Sequence, residues 1–148
     1  MDITWTDDLA TGVSMIDTQN KEIFRRIHSL LESCNNGSDR GRLRENLNLL
    51  EGLVADHFYA EENLQKEHSF PGFSEHKLWH MAYLNNIRDL KKQFKKEGVT
   101  TPLTIKANHL MLERLIEHIT SYDREMAKFL QEKGFTGHME RVVIRSAA

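Results

Sequence analysis

Apolar residues recur at three- and four-residue intervals along four stretches of this chain, the spacing that lines one face of an α-helix. The first stretch runs from about Thr18 to Cys34, with Ile23, Phe24, Ile27, Leu30 and Leu31 on one side, and Asn35-Asn36-Gly37 ends it. Ser38 or Asp39 is placed to cap the second, whose apolar face carries Leu43, Leu47, Leu50, Val54 and Leu64. Phe70-Pro71-Gly72 breaks the pattern, and Ser74 is placed to cap a third stretch holding Tyr83, Leu84, Ile87, Leu90 and Phe94. After Gly98, Thr101-Pro102 reads as a cap followed by a first-turn proline, opening a fourth stretch through Leu112, Leu115, Ile119, Met126 and Leu130 to Gly134.

No segment alternates as a strand would. Four helices at about 18–34, 39–68, 74–97 and 102–133, joined by connections of a few residues, predict an all-α, up-down-up-down four-helix bundle. Residues 1–17 are expected to form an N-terminal arm, with Trp5, Leu9, Val13 and Ile16 packing across the bundle, so that the domain covers 1–134. The segment 135–148 is read as a C-terminal tail, its form left open between helix, edge strand and ordered coil.

Composition narrows the class. A chain of 148 residues suits one domain. A net charge of −2 with no basic stripe argues against nucleic acid as a partner. The run Lys91, Lys92, Lys95, Lys96 reads as a solvated helix end, where cations complement the macrodipole. Cys34 is the single cysteine, which rules out an intramolecular disulfide or a thiolate cluster and fits a reducing cytoplasm. The start lacks the apolar run of a signal peptide and no stretch is long enough to span a bilayer, so no membrane association is expected.

Four histidines and two acids then stand out by position. His57 and Glu61 are four apart, as are His76 and His80; His118 and Asp123 are five apart, an angular step of about 140° on an α-helix. Each alone has the plain reading of a surface or hydrogen-bonded core residue. Together they place neutral imidazoles and bridging-capable carboxylates on inward faces of three helices, a donor set that suits a pair of iron or manganese ions and also permits zinc. His28, His68, His109 and His138 have no partner at ligand spacing and read as surface or helix-end residues.

Several of these residues sit in recognisable company: Trp5-Thr6-Asp7-Asp8-Leu9 with Gly12 and Val13, Met15-Ile16-Asp17-Thr18-Gln19, His57-Phe58-Tyr59-Ala60-Glu61-Glu62, Phe70-Pro71 before His76 and His80, and Leu115-Ile116-Glu117-His118-Ile119 with Asp123. From Trp5 to about Gly134 the chain resembles the bacteriohemerythrin family. The resemblance implies two non-haem iron ions joined by an oxo or hydroxo bridge and by two carboxylates, Glu61 and Asp123. His76, His80 and His118 would complete one iron and His57 would bind the other. Leu115 matches the family's pocket leucine.

The family's fifth histidine follows the Ile-Asp-x-Gln motif, and here that position is Asn20. An amide is a weak ligand for divalent iron, so Asn20 is expected to hold a water or leave a vacancy. The second iron would then be under-coordinated, or find another ligand, or be missing from a site with one metal. Gln65 and Arg114 stand where the family usually carries methionine and tryptophan, which suggests a wetter pocket in which either residue could touch a metal through water.

Function follows as an expectation from the resemblance: binding or sensing of dioxygen or a related small oxidant. The alternative is an oxidant-reactive di-iron protein engaged in peroxide or nitric oxide chemistry or redox signalling. A third reading, a metal-depleted interaction module, is weakened by the cost of burying acids and histidines without a cation. Whether the chain turns over as an enzyme is left open, with oxygen binding or sensing favoured, and no protein partner is assigned.

Overall fold

A computed structural model describes residues 5–36 and 40–135. The caps expected at Ser38 and Asp39, His138, and the tail beyond Phe135 lie outside these residues. Among the described residues there are helices and turns and no strand. A short 3-10 turn, Asp7–Leu9, precedes α1 (Ser14–Asn35), α2 (Arg40–Glu67) and α3 (Phe73–Glu97). The fourth rod is composite: α4 (Thr101–Ala107), a π-helical segment Asn108–Glu113, α5 (Arg114–His118), a second π-helical segment Ile119–Asp123, and α6 (Arg124–Glu132).

Residue pairing across the rods fixes their directions. Glu51 meets Lys91 while Gln65 meets His76, so α2 and α3 run antiparallel. Asn20 meets Asp123, and Gly12 lies against Gln131, which sets α1 antiparallel to the fourth rod. Tyr83 reaches Met111 and His76 reaches His118, giving the same relation between α3 and the fourth rod. The rods thus form a closed four-membered bundle, all-α as the periodicity predicts.

One core occupies most of its length. Ile23, Ile27 and Leu30 of α1, Leu47, Leu50 and Val54 of α2, Ile87 and Leu90 of α3, and Leu112 and Leu115 of the fourth rod are all 2% exposed or less. A second cluster, Val13, Ile16, Leu64, Phe70, Met126 and Leu130, closes the end from which the arm enters. The arm packs as the sequence suggests: the Trp5 ring meets Phe24 edge-on at 5.6 Å, and Leu9, Val13 and Ile16 are buried.

Local chemistry moves three helix ends from their expected places. The first helix starts at Ser14 rather than near Thr18, because the Val13 carbonyl accepts from Asp17 N–H at 3.0 Å. The Asp17 carboxylate in turn accepts from Thr11 N–H and Oγ1, both at 2.8 Å, and from Gly12 N–H at 3.1 Å, tying the arm to the first turn. Gly12 has φ +89°, so the conformation calls for glycine, while the Gln131 amide 2.6 Å from the place of a Cβ could swing aside. Helix α3 begins at Phe73 after Gly72, one turn-position before the cap expected at Ser74. The cap of α4 is Thr100, not Thr101: its hydroxyl accepts from Leu103 N–H at 3.2 Å, and Pro102 lies in the first turn.

The lysine run has a more specific setting than a bare helix end. Lys91, Lys92 and Lys95 line a cavity of about 730 Å³ together with Arg44, Glu51 and Arg88, and Glu51 pairs with Lys91 at 2.8 Å and with Arg88 at 3.3 Å. No helix among the described residues is long and apolar enough to cross a membrane.

Candidate metal centre

Near the arm end of the bundle the apolar interior gives way to polar side chains that are sealed from solvent. Asn20, His57, Glu61, Gln65, His76, His80, His118 and Asp123 are each at most 2% exposed. Helix α1 contributes Asn20, α2 contributes His57, Glu61 and Gln65 on successive turns, α3 contributes His76 and His80, and the fourth rod contributes His118 and Asp123. The six proposed ligands therefore converge, drawn together from three rods.

The five-residue step between His118 and Asp123 is resolved by backbone geometry. Ile119–Asp123 is π-helical, so its hydrogen bonds run from i to i+5 and the residue five positions on returns beneath the first. An α-helical reading would leave the two side chains well apart in angle; the wide turn brings His118 Nε2 to 2.9 Å from Asp123 Oδ1. The other π segment, Asn108–Glu113, leaves the Met111 carbonyl to accept from the buried Tyr83 hydroxyl at 2.6 Å.

Donor atoms crowd at distances that protons alone do not satisfy. His76 Nε2 lies 3.1 Å from His118 Nε2, and Asp123 Oδ1 lies 3.2 Å and 2.9 Å from those two nitrogens. These three edges match the separation of about 3.0 Å between neighbouring ligands that bind one ion at about 2.1 Å in octahedral directions. His80 Nε2 is 3.5 Å and His57 Nε2 3.0 Å from Glu61 Oε1. Both Glu61 oxygens, Asp123 Oδ1 and the Nε2 atoms of His57 and His80 are buried without a hydrogen-bond partner. Two donor groups of metal-ligating size result, Glu61-His76-His80-His118 and His57-Glu61-Asp123, and Glu61 belongs to both.

Electrostatics prepare only part of the set for a cation: burial resists a charge on His76, but Asp123 and Glu61 beside it raise its pKa toward the protonated ring. Burial pushes His57 and His80 down to about 4, so both imidazoles are neutral near pH 7 and have a lone pair to give. Burial, reinforced by the neighbouring Asp123 charge, pushes the Glu61 carboxyl up to about 8. Burial also opposes ionisation of Asp123, but His118 and His76 beside it hold that carboxyl well below the usual range. Metal-free, the pocket thus holds Glu61 toward its neutral acid, and a divalent cation would favour its carboxylate and be balanced by both acids.

Three of the four candidate rings have a polar partner at Nδ1, and two of those partners carry no ligand signal in the sequence. Gln19 Oε1 accepts from His57 Nδ1–H at 2.6 Å, and Glu62 Oε2 accepts from His80 Nδ1–H at 2.8 Å, leaving each Nε2 as the donor atom. Gln65 lies 2.7 Å from His76 Nδ1 through one end of its amide. His118 has no Nδ1 partner and is stacked on Trp79 at 3.9 Å, while Phe58 stacks on His80 at 3.8 Å and 6°. Gln19 precedes Asn20 and Glu62 follows Glu61, so only their adjacency to ligand positions in the chain pointed to them.

The remaining candidates divide. Asn20 is inside the cluster, with Nδ2 donating to Asp123 Oδ2 at 3.1 Å and Oδ1 buried without a partner. Gln65 is inside it too, between His76 and the Met126 sulfur, to which Nε2 donates at 2.9 Å. Leu115 is fully buried in the core. Arg114 is 38% exposed, with its Nε buried 4.0 Å from Glu117 and without a hydrogen-bond partner, and among the polar candidates Asn20 and Gln65 are the ones bonded within the cluster. His28 pairs with Glu32, His109 with Glu113, and His68 with the Leu64 carbonyl, all away from the cluster.

A helical bundle with buried imidazoles and carboxylates converging at one end defines a class of metal-binding proteins. Residues 11–130 match the model of the hemerythrin HHE cation binding domain, and the chain belongs to that family. It is 26% identical to a bacteriohemerythrin of Pseudomonas paraeruginosa over 97% of this chain and 96% of the relative. A bacteriohemerythrin of Methylococcus capsulatus is 26% identical over 82% of this chain and 92% of its own length. A myohemerythrin of Theromyzon tessulatum is 24% identical over 72% of this chain and 82% of its own length.

Proposed function

We propose that this protein holds two iron ions at the buried end of its bundle and uses them to bind or sense dioxygen or a related small oxidant. His76, His80 and His118 would hold the first ion and His57 the second, with Glu61 and Asp123 shared between them. The observation that carries this reading is the triangle formed by His76 Nε2, His118 Nε2 and Asp123 Oδ1, with edges of 2.9, 3.1 and 3.2 Å. Two imidazoles and a carboxylate on one octahedral face form the pattern that non-haem iron favours. Family membership adds to it.

Paired ferrous ions supply two electrons to a small oxidant. The chain's own residues set what reaches them. Leu115 and Phe58 keep the surroundings apolar, and Glu62 and Gln19 hold two imidazoles in the ligand tautomer. Asn20 presents a buried carbonyl oxygen with no protein partner, the right group to accept from a water or an oxidant O–H near the second ion.

That same oxygen favours the second reading, peroxide or nitric oxide chemistry at an open, polar position of the second iron. Metal analysis joined to anomalous diffraction at the iron edge tests the site. Two iron peaks within the cluster, with a reversible absorption change on oxygenation, support binding or sensing. Repeated peroxide consumption with a reductant supports the oxidant-reactive protein. Protein produced with ample iron and containing none rejects both.

A further inference from the structure

Asp123 is engaged at both of its oxygens, and the two engagements differ in kind. Oδ1 faces the nitrogens of His76 and His118 at 3.2 and 2.9 Å. Oδ2 accepts from Asn20 Nδ2 at 3.1 Å, a fully buried contact between α1 and the fourth rod. A carboxylate that joins two cations has to give one oxygen to each. Here the oxygen directed away from the three-histidine position is already satisfied by an amide N–H.

We propose that Asn20 is a positioning residue that commits Asp123 to the three-histidine position and makes the second position the weaker one and the later to fill. This rests on the metal-binding reading above and adds an order to it. The first position draws on three imidazoles, Glu61 and Asp123 Oδ1. The second keeps His57 and a share of Glu61, and shares Asp123 Oδ2 with the Asn20 hydrogen bond, which occupies one of that oxygen's two lone pairs and weakens it as a donor. Hydrogen bonds to ionised acceptors in dry surroundings are among the stronger ones, which corresponds to a handicap of roughly tenfold or more in affinity. At limiting metal the protein then carries one ion, and the second position exchanges with the surroundings.

Anaerobic titration of the chelator-treated full chain with manganese(II), followed by electron paramagnetic resonance, reads the two steps separately. An isolated ion gives a resolved six-line signal; a coupled pair gives a broadened one. The wild type is expected to show an isolated ion up to one equivalent and a second step at least about tenfold weaker. In Asn20→Ala the first step stays where it was and the second tightens by roughly tenfold, because Oδ2 is released. A second step that is unchanged or lost in Asn20→Ala overturns the proposal. Crystals of the wild type with one equivalent of manganese(II) provide a measurement independent of the variant. Anomalous density confined to the three-histidine position supports the ordering, and equal density at both positions overturns it. Failure of the wild type to take up the first equivalent removes the metal-binding reading and this inference with it, whereas failure of Asn20→Ala alone overturns the inference and leaves that reading standing.

Discussion

Replacing Glu61 by glutamine should change the stability of the metal-free protein in a direction opposite to its effect on the metal-loaded one. The carboxyl is fully buried, its two oxygens have no hydrogen-bond partner, and burial with the Asp123 charge pushes it from 4.5 up to about 8. Because the folded value lies above the unfolded one, its contribution is complete below 4.5 and is lost as the pH climbs through about 8. With the loss levelling off near the folded value, a change from about pH 6.5 to about pH 8 removes on the order of 1–2 kcal/mol. That corresponds to roughly 3–6 °C in Tm for a chain of this size. Glutamine has nearly the same shape and does not titrate, so Glu61→Gln lacks this decline, while groups such as His76 remain in both proteins. Urea or thermal unfolding of chelator-treated wild type and variant at the two pH values gives the difference directly. Iron(II) should then stabilise the wild type by more than the variant, since the shared carboxylate ligand is gone. Parallel pH dependence in the two metal-free proteins would refute the buried-acid argument.

Four other outcomes are expected. Asn20→His should raise the metal content of the second position and stabilise the oxygenated absorption spectrum; metal stoichiometry and spectra unchanged from wild type would count against a ligand role for position 20. The metal-free protein should lose stability on acidification from about 6.5 towards about 4, because His57 and His80 are depressed to about 4 and the unfolded chain takes up the protons first; chemical unfolding across that range measures it. Phe58→Ala should cost about 3–5 kcal/mol in urea unfolding, since the ring is 1% exposed and stacked on His80, and should weaken metal retention as well. Thr100→Ala should cost about 1 kcal/mol through loss of the α4 cap, with no change in metal binding, read from Tm beside metal content.

The periodicity of apolar residues made the bundle legible because its four rods bury one face each, and that requirement writes a 3.6-residue pattern into the chain. The convergence of His57, Glu61, His76 and His80 was legible for the same reason: a four-residue step and an inward face suffice to place them. Asp123 was harder to place, since its step from His118 fits a π turn rather than an α turn, and no residue between them announces a π turn. Gln19 and Glu62 escaped notice as positioning groups because a polar side chain beside an inward one looks like ordinary solvated surface. Arg114 shows the opposite error. Its place one turn before His118 suggests the pocket, yet a long flexible side chain can turn from the shared face to an exposed acid, as it does toward Glu117.

The two wide turns of the fourth rod also set where that rod tolerates changes in length. Each absorbs one residue more than an α turn would, so removing one residue from 119–122 would let the backbone close into regular helix with everything beyond it kept nearly in phase. Asp123 would then follow His118 by four residues and still face the cluster, with Met126, Ala127 and Leu130 kept in the end core. The wide turn is therefore the place near that end where a residue can be lost cheaply, whereas a deletion from the α-helical stretch 114–118 would rotate the cluster and the end core out of step with one another.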